Sequence, residues 1–149
     1  MTLIPVPNQS NRVDLSQLLA DIRAQPPLST LTCLGLGPCQ GLPVPSILVG
    51  GPGQALLLHL HRNLTGVKVL TPLDRPQPNH PEWPGLHLKA VLAHSANPQH
   101  WIAFINVQGV WWRADSAVGT IRQEDPFISQ IDPTRGTQGF TIDVALFLS

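Results

Sequence analysis

Charge is what this chain has least of. Only 12% of its 149 residues are Asp, Glu, Lys or Arg, nine of each sign, and the formal net charge is zero. There is no basic field to draw in nucleic acid, so no nucleic-acid binding is expected. A neutral, charge-poor surface instead favours association, with a partner covering part of it. Long apolar runs are missing as well. None reaches the ~18 residues of a membrane span, and no membrane partner is expected. The N-terminus lacks the basic stretch and apolar core of a secretory signal. Without export, the glycosylation sequon Asn63-Leu64-Thr65 means nothing. Cysteine is nearly absent: Cys33 and Cys39 alone make no disulfide framework. The expected compartment is intracellular, cytoplasmic or nuclear.

What the chain does have is a globular composition, 42% hydrophobic over a length that suits one domain. Such a chain can bury roughly 70% of the surface that its unfolded form exposes. Residues 1–13 carry Pro5 and Pro7 among polar residues and read as an extended arm, with a single domain over 14–149. Asp14 caps a helix, and Gln17 stands at the reciprocal capping-box position. Leu15, Leu18, Leu19 and Ile22 form one apolar stripe, and Pro26-Pro27 ends the helix.

Residues 33–53 are rich in Gly and Pro, with a short strand expected at Ile47-Leu48-Val49. Ala55–His61 reads as a strand with His59 and His61 on one face, and Val67–Leu70 as a short strand after a Thr65-Gly66 turn. Residues 71–85 hold five prolines and form an irregular connection. Three consecutive strands follow, at about 86–95, 100–107 and 110–115, divided by Asn97-Pro98 and by a close turn at Gln108-Gly109. Asp125–Ile131 reads as a helical turn opened by Pro126, and Phe140–Leu148 alternates as a final strand. The expected architecture is α+β: a mostly antiparallel β-sheet of five or six strands with one main helix.

Within the three consecutive strands, His100 opens the second and Asp115 closes the third. Antiparallel pairing brings such positions together, and a histidine oriented by a carboxylate is two thirds of a thiol-hydrolase triad. The third member is not evident. Activated thiols sit at helix N-termini, whose dipole favours the thiolate. Cys39 is followed by Gln-Gly-Leu-Pro-Val-Pro, which excludes a helix, and Cys33 by Leu-Gly-Leu-Gly-Pro, which is no better. His59 and His61, with His87 or His94 from a neighbouring strand, are a weaker metal-ligand candidate. Trp111 and Trp112 place one ring on each face of their strand, one for the core and one for a contact surface.

From residue 55 onward the chain resembles the second half of the catalytic domain of the ubiquitin-specific proteases. The resemblance rests on an ordered set of strands: Ala55 to Arg62, Leu86 to Ser95, Gln99-His100-Trp101-Ile102-Ala103-Phe104, Trp112 to Val118, and a closing strand from Phe140 to Phe147. It implies the sheet half of a papain-like fold, with His100 as the general base and Asp115 as the carboxylate that orients it. The sequence departs from the family at Gln99, where the family has glycine, at Trp101, where it has tyrosine, and at Ser116, where it has a second aspartate. The nucleophile-bearing cysteine box is missing, and so are the paired Cys-x-x-Cys motifs of the family's finger. No zinc and no other cofactor are therefore expected.

Two functions follow from the resemblance. One is a catalytically incomplete module that binds or scaffolds ubiquitin, a ubiquitin-like protein or another protein, without isopeptide hydrolysis of its own. The other is half of a deubiquitinating thiol hydrolase, in which His100 and Asp115 serve a cysteine from another chain. In either case the helical lobe that normally packs on the sheet is missing. One apolar sheet face must then be covered by the 14–24 helix, by a second copy in a homo-oligomer, or by a partner in a hetero-complex.

Overall fold

Side-chain alternation along the strands, interrupted in the last strand, Phe140–Leu148, by two register shifts against its neighbour, gives the sheet two distinct faces. The computed structural model describes residues 2–7, 11–24, 55–64, 67–76, 85–96, 99–130 and 139–149. In chain order the elements are β1 (Thr2–Pro5), β2 (Val13–Asp14), α1 (Leu15–Ala24), β3 (Ala55–His61), β4 (Asn63–Leu64), β5 (Val67–Lys68), β6 (Leu73–Asp74), β7 (His87–Ala96), β8 (Gln99–Val107), β9 (Val110–Asp115), β10 (Thr120–Gln123) and β11 (Phe140–Leu148). Seven strands form one mixed sheet in the order β1-β3-β11-β7-β8-β9-β10. Every neighbouring pair is antiparallel except β1 with β3. With α1 the one helix among the described residues, the architecture is α+β and mostly strand, as expected, but the main sheet has seven strands instead of five or six because β1 and β10 add to its edges. The strand expected at Ile47-Leu48-Val49, both cysteines, and the turns at Thr65-Gly66 and Asn97-Pro98 lie outside the described residues.

On one face Leu56, Leu58 and Leu60 of β3, Val91 and Ala93 of β7, and Ile102 and Phe104 of β8 are buried with Phe140, Ile142 and Phe147 of β11. Leu15 and Leu18 of α1 join the same core, together with Leu73 and Phe127. The side chains of Leu19 and Ile22 lie outside the described residues. Phe104 packs its ring 4.9 Å from that of Phe140. Trp111 is buried against Phe127, whereas Trp112, on the other side of β9, is exposed.

Local chemistry sets the element ends. Asp14 Oδ1 accepts a 2.6 Å hydrogen bond from the Ser16 backbone N–H and so caps α1. Gln17 does not complete the capping box, because its amide donates to Asp21 one turn further on. At the β8–β9 hairpin Gln108 and Gly109 both have positive φ, 52° and 86°. Such a two-residue turn matches the strand twist, and glycine adopts its conformation without strain. Asp125 caps a single turn after β10: its carboxylate accepts from Phe127 N, and its carbonyl accepts from Ser129 N.

The arm is extended, as its prolines suggest, and it belongs to the sheet. β1 lies parallel to β3, and Ile4 and Val6 are fully buried. A proline lacking its N–H is tolerated on such an edge strand. Arg12 ties the end of the arm down, donating to the carbonyls of Leu73 and Phe127. Arg62 plays the same part inside the fold. It is buried and donates to Ile142 O at 2.9 Å and to Thr71 O at 2.6 Å. It also pairs with Asp143 Oδ1 at 3.0 Å, at the point where the β11 register against β7 shifts between Ile142 and Val144. Burial pushes the Arg62 guanidinium down to about 10 while Asp143 pulls it back up, so it stays cationic at neutral pH.

Candidate functional site

The site begins with a register. β8 and β9 pair from Val107 with Val110 as far as Ala103 with Ala114. One residue beyond that last pair, Asp115 sits diagonally across from His100 on the same face, within reach of a side chain of this size. His100 Nε2 and Asp115 Oδ1 are 2.6 Å apart, so the structure brings together the two residues singled out in the sequence. The chain then leaves β9 in a turn in which the Ala117 N–H donates to Asp115 Oδ1 at 3.1 Å. This turn holds the carboxylate in place as an Asx-type contact does.

The other carboxylate oxygen is occupied as well. Arg113 Nη2 donates to Asp115 Oδ2 at 2.6 Å. Arg113 stands two residues before Asp115, and the period of a strand puts both side chains on one side of β9. That spacing is the signal by which the sequence could have revealed it. Arg113 Nη1 in turn meets both oxygens of Glu124 at 3.3 Å, and Arg122 donates to Glu124 Oε2 at 2.8 Å. Burial works against the Arg113 charge, but the hydrogen bond to Asp115 and the charge of Glu124 outweigh it and raise its pKa.

The Asp115 carboxyl is held at about 2, chiefly by the Arg113 hydrogen bond. Desolvation opposes this, and the contacts from His100 and the Ala117 N–H add to it. Asp115 is therefore a firmly ionised acceptor. With Nε2 committed to it, His100 has Nδ1 left, and that nitrogen has no hydrogen-bond partner among the described residues. An imidazole oriented this way can accept a proton from a nucleophile placed at Nδ1. Ser95 lies directly opposite His100 in the β7–β8 pairing, yet no hydrogen bond joins their side chains.

An open apolar groove of about 430 Å³ adjoins the aspartate end of this pair. Its lining includes Leu92, Trp101, Ala103 and Ile121, together with Asp115 and Ser116. Trp101 is half exposed and leans on His94, with ring centroids 4.9 Å apart. His100 itself points to the opposite face, that of Ile102 and Phe104, as strand alternation requires. The groove was not foreseen in the sequence, because Ile121 reaches it only once β10 has paired with β9.

His59 and His61 sit half-buried on the face away from the core. Among the described residues, no group of three or more His, Cys, Asp or Glu could hold a metal ion. Among them too, no helix is long and apolar enough to cross a membrane. The sequence matches no protein-family model and no curated protein.

Proposed function

We propose that this chain is a protein-recognition module built on the sheet of a ubiquitin-specific-protease-like domain. It binds ubiquitin, a ubiquitin-like protein or another protein partner in an intracellular compartment, and it does not hydrolyse isopeptide bonds by itself. The observation that carries this reading is the apolar groove at Trp101, which opens on the sheet face opposite the His100 side chain, with Asp115 in its lining. Tryptophan half-exposed in an apolar recess is the residue type that dominates protein interfaces. The Arg113 contact supports the same reading. A carboxylate whose charge is shared with an arginine gives less electrostatic support to an imidazolium than one committed to the histidine alone.

The test is a titration of isotopically labelled ubiquitin and ubiquitin-like proteins with the full chain, followed by nuclear magnetic resonance. Binding to one of them, lost in Trp101→Ala and kept in His100→Ala, is the expected result. Absence of binding to every member of the panel would refute the assignment to this class of partner. Incubation with ubiquitin bearing a C-terminal electrophile complements it. An adduct at Cys33 or Cys39 would show that the chain carries its own nucleophile and would overturn the non-catalytic reading.

One observation favours a second reading. His100 Nδ1 has no partner among the described residues while Asp115 is held from three sides, as in a half-enzyme awaiting a thiol. Hydrolase activity gained on mixing the chain with the cysteine-bearing half of a ubiquitin-specific protease, and lost in His100→Ala, would select it.

A further inference from the structure

The sheet face away from the core is mostly apolar from β3 to β10, with polar residues at its ends and at His94. Successive pairings build two continuous rows across it. One runs Leu57, Leu146, Ala90, Ile105, Trp112 and Gln123. The other runs His59, Val144, Leu92, Ala103, Ala114 and Ile121. Neither row contains an Asp, Glu, Lys or Arg. Seven side chains on this face, Leu57, Leu92, Trp101, Ile105, Val107, Trp112 and Ile121, are between 38% and 75% exposed.

We propose that a second copy of this chain closes this face, in a two-fold dimer centred on Ile105 and Trp112. Three arguments select that occupant. The first is area. These seven side chains expose on the order of 600 Å² of apolar surface, at the upper end for the largest patch on a monomer and close to the ~800 Å² that one partner gives a standard interface. The second is charge. Packing the face on its own copy desolvates no ionised side chain in either row, so the cost that usually opposes burial of a mixed surface is missing. The chain's net charge of zero also leaves little repulsion between copies. The third is shape. Two twisted sheets stack face to face about 10 Å apart with their side chains interdigitated, and a two-fold axis makes the same patch serve both partners.

This goes beyond recognition of another protein and adds a constraint on it. Leu92, Trp101 and Ile121 line the groove and also belong to the face, so groove and dimer compete for the same side chains.

Sedimentation velocity of the full chain over a wide concentration range tests the proposal without any other protein present. A reversible species of twice the chain mass is expected. Ile105→Glu, outside the groove lining, should weaken it at least about 100-fold, as expected for a charge buried at the centre of an interface. The circular dichroism spectrum of that variant should be unchanged. A parallel measurement needs no variant: acrylamide quenching of tryptophan fluorescence should fall as concentration rises and Trp101 and Trp112 become covered. A wild-type chain that stays monomeric at every concentration would overturn the proposal. So would a dimer indifferent to both Ile105→Glu and Trp112→Glu in folded variants, or open-ended growth in place of a closed pair. Failure of any kind here leaves ubiquitin binding untouched, because that is read separately in the titration.

Discussion

Phe104 and Ile105 are neighbours in β8, and they test the two-faced sheet within one strand. Phe104 is fully buried with its ring 4.9 Å from Phe140. Its replacement by alanine removes a large buried side chain and leaves a cavity that the surrounding strands cannot close, at a cost of about 3–5 kcal/mol. Ile105 faces Ala90 and Trp112 across its two neighbouring strands but is 49% exposed. Full burial of an isoleucine contributes roughly 1.5–3 kcal/mol, so half of it amounts to about 1 kcal/mol, with a few tenths more for lost strand propensity. Urea unfolding at a concentration low enough to keep the chain monomeric measures both. The unfolding free energies should separate by about 2–4 kcal/mol while the m-values stay equal. Equal costs for the two variants would refute the reasoning, since Ile105 would then be as well covered within the monomer as Phe104. In the dimer regime Ile105→Ala alone should become more costly as concentration rises, because the lost contact is then intermolecular.

Three further outcomes follow from the same contacts. The Asp115 carboxyl, ordinarily near 3.8, is held at about 2 in the fold, so its contribution to stability is complete above about pH 4 and is lost as pH falls through about 2. Asp115→Asn should flatten the acid limb of a stability–pH profile over that window, and an unchanged limb would contradict it. Arg62→Met removes the donor that holds three backbone carbonyls and takes the cation away from the buried Asp143 carboxylate, which should cost about 3–5 kcal/mol of unfolding free energy. Asp143→Asn on top of it should recover part of that loss, whereas additive losses in the double variant would argue against the pair. Gly109→Ala, at φ 86°, should destabilise the β8–β9 hairpin by about 1–2 kcal/mol and raise amide exchange there, although nothing lies within 4 Å of the added carbon.

Much of the architecture was legible because local pattern and tertiary outcome agree. Alternation marks β3, Asp14 caps α1, and Gln108-Gly109 closes the hairpin that puts His100 and Asp115 in register. In β11 the alternation of Phe140, Ile142, Val144, Leu146 and Leu148 does not put them on one face: the register shift between Ile142 and Val144 leaves Phe140 and Ile142 in the core and turns Val144 and Leu146 to the other side, where Ala145 and Phe147 take the buried places. β10 was missed for a physical reason. Thr120–Gln123 has no buried face, all four residues are exposed, and the strand exists through its pairing with β9. The arm was legible as extended, but its docking was not, since Arg12 reaches carbonyls at Leu73 and Phe127 far along the chain.

By itself, then, the sequence determined where the long strands β3, β7, β8, β9 and β11 run, which residues of β3 and β8 share a face, and that a histidine and an aspartate end up on adjacent strands. These follow from the two-residue period and from turn chemistry, both properties of a few consecutive residues. Which face is covered was decided only in three dimensions. β8 is apolar on both sides, with Ile102 and Phe104 on one and Trp101, Ile105 and Val107 on the other. No pattern within the strand tells them apart, because burial depends on what packs above it: α1, Phe127 and the arm all gather on a single side. The division of Asp115 between His100 and Arg113 was likewise settled by distance, with both donors at 2.6 Å from separate oxygens of one carboxylate.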